Sequence, residues 1–293
     1  MTSRSLLRVV AAMLAAAALA AGGLVAVPGT AGAQTNPYQR GPNPTSALLE
    51  AASGPFAVQQ QTAPAASGFN GGTIFYPTDT SQGTFGAIGV SPGFFTPGSA
   101  MNGIARRYAS HGFVVIAINT FTLFDLPAQR GGELAAALYW LVNSSPVVNR
   151  IDKNRLGVSG HSMGGGGSLE AARQYGDAID AAVPLQPWDI GANFSTMRVP
   201  TMIIGAQNDT VAPVSSHAEP FYNQIPASAE KAYLELAGQG HQVGLTTNTT
   251  EMKYAVAWFK RYIDDDTRYD QFLCPRPSAP TISEYRDTCP TGS

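Results

Sequence analysis

The sequence predicts an α/β fold, a mainly parallel central sheet flanked by helices on both faces. Short apolar, β-branched runs recur along the chain, and segments with an apolar residue every three or four positions lie between them. One run also passes directly into a Gly-rich turn at the head of such a segment. Strands that alternate with helices in this way build a parallel sheet covered on both sides. The predicted strands are residues 72–76, 85–91, 113–119, 155–161, 181–185, 200–206 and 231–236. The predicted helices are residues 104–110, 133–142, 162–173 and 252–263. In open sheets of this kind ligands sit beyond the carboxyl ends of the strands, so chemistry is sought just after each one.

Residues 1–33 read as a secretory signal peptide. Arg4 and Arg8 form a basic start, residues 9–27 an Ala/Leu/Val-rich run, and Ala31-Gly32-Ala33 a small-residue cleavage site. The expected mature chain, residues 34–293, is a single domain, because no repeat, Pro/Ser linker or charge block divides it. The Pro-rich opening at residues 36–45 is expected to be an ordered arm. Export places the protein outside the cell, and no later apolar run approaches membrane-spanning length, so no membrane contact is expected after cleavage. A monomer is expected.

A net charge of −2 without a clustered basic stripe argues against a nucleic-acid partner. Charged residues make up only 13% of the chain, about half the usual share, which suits an uncharged or apolar substrate. Cys274 and Cys289 are the only cysteines, and in an oxidising compartment they are expected to pair. Closing a loop of about 15 residues is worth on the order of 3 kcal/mol and would pin the C-terminal tail to the core.

The predicted strand ending at residue 161 runs into Gly160-His161-Ser162-Met163-Gly164, a G-x-S-x-G pattern at a strand-to-helix junction. Such a turn forces the Ser backbone into strain and needs glycine on either side, where a Cβ would strike the neighbouring strand and helix. Ser162 is therefore the expected nucleophile, close to helix N–H groups that favour developing negative charge.

In chains of this layout the acid and then the base follow the serine. His217 and His241 are the two histidines after Ser162. His217 lies at a predicted helix start, whereas His241 lies in a Gly-rich loop directly after the strand ending at residue 236, which makes it the better general base. Asp209 follows the strand ending at residue 206 and is the expected acid; Asp189, after Trp188, is its rival. No His/Cys/Asp/Glu cluster has metal-ligand spacing, and neither a Walker-type loop nor a strand-linked G-x-G-x-x-G occurs, so no metal and no cofactor are expected.

Ser91-Pro92-Gly93-Phe94, Gly160-His161-Ser162-Met163-Gly164, Pro187-Trp188 and Asp209-Thr210-Val211-Ala212-Pro213 resemble the bacterial cutinase and polyester hydrolase family of α/β-hydrolases. The likeness begins at Asn36-Pro37-Tyr38 and runs to the cysteine pair. It implies an α/β-hydrolase fold without a lid and a secreted carboxylester hydrolase acting on polyesters such as cutin and poly(ethylene terephthalate). A lipase or short-chain triacylglycerol esterase, and an extracellular acyltransferase, use the same residues and stay open.

The resemblance further implies that the backbone N–H groups of Phe94 and Met163 form the oxyanion hole. Phe94 and Trp188 would clamp the acyl group, with His161, His217 and Gln242 also contacting substrate. His161 and His217 match the cutinase branch, where the branch specialised for poly(ethylene terephthalate) carries Trp and Ser. Gln242 stands where cutinases carry Phe. Of three acids that bind calcium in some relatives, Glu284 alone is retained, Gln207 and Ala237 replacing the others, so no calcium dependence is expected there. Ala206 and Val243 occupy the positions of a second disulfide in the specialised branch.

Overall fold

Interior strands of a sheet covered on both faces must be apolar on both sides, and the chain supplies several such runs. In the computed structural model, which describes residues 36–289, they form the middle of a nine-stranded sheet. The strands are β1 (Val58–Ala63), β2 (Gly72–Pro77), β3 (Phe85–Ser91), β4 (Phe113–Ile118), β5 (Ile151–His161), β6 (Ala181–Leu185), β7 (Thr201–Ala206), β8 (Lys231–Leu236) and β9 (Ile282–Asp287). Their order is β1-β2-β4-β3-β5-β6-β7-β8-β9. Pairing is parallel from β4 through β8 and antiparallel at the margins, where β1 meets β2, β2 meets β4, and β8 meets β9.

The helices are α1 (Ser46–Glu50), α2 (Asn102–Ser110), α3 (Pro127–Ser144), α4 (Met163–Gln174), α5 (Ala218–Gln224), α6 (Thr249–Tyr262) and α7 (Asp270–Leu273). Alternation along the strands divides the core into two layers. Ile88 and Val90 of β3 and Val115 of β4 pack with Tyr108 of α2 and Phe259 of α6 on one face. Ala87, Val114 and Ile116 pack with Leu134 and Leu138 of α3 and Leu169 of α4 on the other. The fold is thus a mostly parallel sheet covered by helices on both faces, as the sequence pattern predicts.

Two strands escaped that pattern. Val58–Ala63 reads Val-Gln-Gln-Gln-Thr-Ala and Ile282–Asp287 reads Ile-Ser-Glu-Tyr-Arg-Asp, polar because both lie at sheet edges and are largely open to solvent. Helix α3 also begins six residues before its predicted start. Pro127 occupies its first turn, and the Gln129 side chain accepts from the Leu126 N–H at 2.8 Å.

The arm before α1 is ordered against the body. Asn36 donates to the backbone oxygens of Asp264 and Asp265, and Arg40 is buried with its guanidinium on the Thr84 and Pro37 oxygens. At the other end Cys274 and Cys289 are disulfide-bonded, closing the segment that carries edge strand β9. The predicted signal peptide lies outside the described residues. Among those described, no helix is long and apolar enough to cross a membrane.

Candidate active site

The carboxyl ends of β3, β5, β6, β7 and β8 converge, and each delivers one part of the site. Ser162 directly follows β5 and caps α4 with φ 56° and ψ −119°, a conformation L-residues rarely adopt. The neighbouring backbone holds it there: its N–H donates to Leu185 O at 3.0 Å, and its carbonyl accepts from Gly166 N at 3.0 Å and Trp188 N at 2.9 Å. Glycine is obligatory on both sides. A Cβ on Gly160 would fall 2.4 Å from Gly164 O, and one on Gly164 would fall 2.2 Å from Ser91 O.

The loop after β8 brings His241 to this serine, with Nε2 2.9 Å from Ser162 Oγ. The other ring nitrogen, Nδ1, lies 2.7 Å from Asp209 Oδ2, in the loop after β7. Asp209 is itself held: its Oδ1 accepts from Val211 N at 2.8 Å and Ala212 N at 2.7 Å. Burial raises the pKa of this carboxyl, but the hydrogen bonds from His241, Ala212 and Val211 outweigh burial and keep it below the ordinary value. All three side chains are at least nine-tenths buried.

The rival residues are placed elsewhere. Asp189 Oδ1 accepts from Ile190 N, and burial pushes its carboxyl up to about 6. His217 sits at the N-cap of α5, half-buried, with its ring 5.9 Å from that of Trp188. Burial lowers the pKa of its imidazole.

The loop after β3 lies against the nucleophile: a Cβ on Gly93 would sit 3.0 Å from Ser162 Cβ, which puts the Gly93–Phe94 peptide beside the serine. Met163 opens α4, where the first N–H groups have no intrahelical acceptor. Phe94 is exposed, and Trp188 and Met163 are half-buried. Gln242 is exposed on the turn carrying His241.

His161, expected to contact substrate, lies directly under the base candidate His241. It is 2% exposed, with its ring tilted 49° to that of His241 and its Nε2 2.8 Å from the His241 carbonyl oxygen. Residue 161 is the last of β5, and its Nδ1 would lie 3.3 Å from a Cβ built on Gly93, in the loop beside the nucleophile.

Several residues around the site carry no sequence signal. Gln186, at φ 40°, donates from Nε2 to Glu251 Oε1 at 2.9 Å beneath the Pro187-Trp188 turn. Arg130, fully buried in α3, donates to the carbonyls of Pro92 at 3.0 Å, Leu123 at 3.1 Å and Asp125 at 2.7 Å. Glu251 lies 65 residues from Gln186 and Pro92 lies 38 from Arg130, relations that spacing cannot reveal.

Away from the cleft, Glu284 has the company of Glu219 and Glu235, with carboxylate oxygens all within 4.8 Å of one another. Substitution at residues 207 and 237 therefore does not leave Glu284 isolated from other acids. Arg286 compensates the group, 2.5 Å from Glu284 and 3.6 Å from Glu219, while Tyr233 and Ser283 hydroxyls each donate to Glu235 at 2.7 Å.

A serine, imidazole and carboxylate in this relay can activate the hydroxyl for attack on an acyl carbon. Comparison with known proteins places the chain among ester hydrolases. A family model described as PET hydrolase-like matches residues 32–290. A bis(hydroxyethyl) terephthalate hydrolase of Streptomyces coelicolor is 51% identical over 290 residues, covering 98% of this chain and 93% of its own. A cutinase of Thermobifida alba is 53% identical over 262 residues, covering 87% of this chain and 88% of its own. A cutinase of Thermobifida cellulosilytica is 52% identical over 262 residues, covering 87% and 99%.

Proposed function

The chain belongs to the PET hydrolase-like family, and from that premise we propose that it is a secreted serine carboxylester hydrolase that opens polyesters such as cutin and poly(ethylene terephthalate) through an acyl-enzyme on Ser162. The observation that carries the reading is the unbroken relay from Ser162 Oγ through His241 to Asp209, at 2.9 and 2.7 Å.

Asp209 is a pure acceptor, so the His241 proton resides on Nδ1 and leaves Nε2 free to accept from Ser162 Oγ. As the serine oxygen attacks the ester carbonyl, its proton moves to Nε2, and Asp209 stabilises the imidazolium that forms. The carbonyl oxygen becomes an oxyanion, received by the N–H groups of Phe94 and Met163 at the head of α4. Collapse expels the alcohol, which takes the proton from His241. Water, activated by the same nitrogen, then attacks the acyl-enzyme and releases the acid and Ser162. Protons pass only among Ser162, His241, the leaving alcohol and water, so the cycle as written calls on no cofactor.

Phe94 and Trp188 flank the acyl group, His217 supports the Trp188 ring, and Gln242 lies at the rim. His161 serves the base from beneath instead of touching substrate. The protein acts as a monomer, exported by residues 1–33.

Replacing Ser162 by Ala should lower hydrolysis of p-nitrophenyl butyrate by several orders of magnitude. Turnover equal to that of the unsubstituted chain refutes the assignment. Product analysis on cutin, tributyrin and amorphous poly(ethylene terephthalate) film separates a polyesterase from a lipase.

A further inference from the structure

Of the eleven exposed large apolar side chains among the described residues, six lie in two loops beside the cleft: Phe94, Phe95, Phe121, Leu123, Phe124 and Leu126. Isolated exposed apolar residues are ordinary, but a contiguous group marks a contact surface. Here three of the six touch one another. The rings of Phe94, Phe95 and Phe124 pack mutually, with centroids 6.5, 5.6 and 5.7 Å apart, while each remains more than half exposed.

Phe95 adds an independent observation. Its φ is 53°, a region that glycine, asparagine and aspartate enter readily and a bulky side chain does not. The chain thus holds a phenyl ring in strained backbone and presents it to water, at 64% exposure, where neither core packing nor turn geometry calls for it.

The two loops are braced from below. Phe95 N–H donates to Leu123 O at 2.8 Å, the buried Arg130 guanidinium ties Pro92 O to Leu123 O, and Glu133 Oε1 accepts from Phe121 N–H at 3.0 Å. The surface is also free of charge. Residues 92–103 carry no ionisable side chain, and residues 119–129 carry only Asp125, which is 7% exposed and bound by Thr122.

We propose that Phe95, Phe121 and Phe124 extend the Phe94 wall into a rigid aromatic platform that docks the surface of a solid polyester. The inference rests on the polyesterase reading above and adds to it the means by which an insoluble substrate is held. The argument for this occupant is continuity and charge. The platform starts at the Gly93–Phe94 peptide beside Ser162, so a polymer lying on it feeds a chain directly to the nucleophile. An uncharged aromatic face covers apolar and aryl ester units without stranding a charge. A protein partner would instead ask for a polar rim.

The test is carried out on two chains, each with and without the paired substitution Phe95→Asn and Phe121→Ser. Asparagine accepts the left-handed backbone, so the fold is kept and the melting temperature should not fall. In the inactive Ser162→Ala chain, adsorption to amorphous poly(ethylene terephthalate) film is measured by depletion from solution. The substituted protein should bind at least fivefold more weakly. In the chain that retains Ser162, turnover of soluble p-nitrophenyl butyrate should stay within twofold.

Unchanged adsorption overturns the proposal. So does sedimentation showing that the unsubstituted chain self-associates and the substituted one does not, since the rings would then meet a second copy. Because adsorption is read without catalysis, failure of the esterase reading appears separately, as absent turnover by the Ser162 chain.

Discussion

His161 donates from Nε2 to the main-chain oxygen of His241, 2.8 Å away, with the two imidazole rings 4.7 Å apart. A carbonyl oxygen only accepts, so the His161 proton sits on Nε2. Burial, reinforced by the neighbouring His241, pushes the pKa of His161 down to about 4, so its ring is neutral near pH 7. The contact fixes the backbone of the base from below.

His161→Phe keeps a ring of similar size and removes the donor. Losing one hydrogen bond worth about 1.4 kcal/mol should lower kcat roughly tenfold with KM within twofold if His161 acts only through the His241 backbone. His161→Trp, which retains a ring N–H, should recover part of the loss. Steady-state kinetics on p-nitrophenyl butyrate decide it; a rise in KM at constant kcat would instead place His161 in the substrate site.

Asp209→Asn should cost on the order of 10⁴ in kcat. The asparagine oxygen can keep the two bonds from Val211 and Ala212, which turns its NH₂ toward His241 Nδ1. The imidazole must then carry its proton on Nε2, facing Ser162, and cannot accept. Melting temperature should change little, so kinetics and thermal unfolding together distinguish a wrong tautomer from a lost fold.

Glu251 is wholly buried at the start of α6, and burial raises its pKa to about 7 even though Gln186 donates to it. In the unfolded chain it ionises near 4.5. Between these values the folded state holds a proton that the unfolded state has lost, so stability is full below about pH 4.5 and falls as pH rises to 7. Glu251→Gln removes the penalty. The variant should match the parent near pH 5 and exceed it at pH 8 by about 2 to 3 kcal/mol, read as a rise in melting temperature or denaturant midpoint. Equal pH profiles for the two proteins would contradict the assignment.

Replacing Cys274 and Cys289 by Ser should reduce stability by about 3 kcal/mol, from the freed loop of 15 residues. The tail carrying β9 pairs only with β8, so hydrogen exchange should rise first at Ile282–Asp287 while soluble ester turnover stays unchanged at 25 °C.

The sequence by itself determined the interior of the sheet and named the residues that the structure brings to its carboxyl edge. Strands β2 to β8 are apolar because both faces are covered, and their ends announce where chemistry sits. The elbow is legible because its glycines answer a local backbone demand. Edge strands β1 and β9 were not legible, since a strand open to solvent has no apolar pattern to display.

The tertiary structure decided how the expected acid Asp209, and not its rival Asp189, reaches His241. Asp189 and Asp209 both follow strands, and the loop after β7 alone carries its acid to the ring. It also buried His161, gathered Glu219 and Glu235 beside Glu284, braced the Phe94 loop through Arg130, and assembled the aromatic platform from two loops some thirty residues apart. These are relations between distant segments, set by side-chain direction and close packing. A one-dimensional pattern records neither.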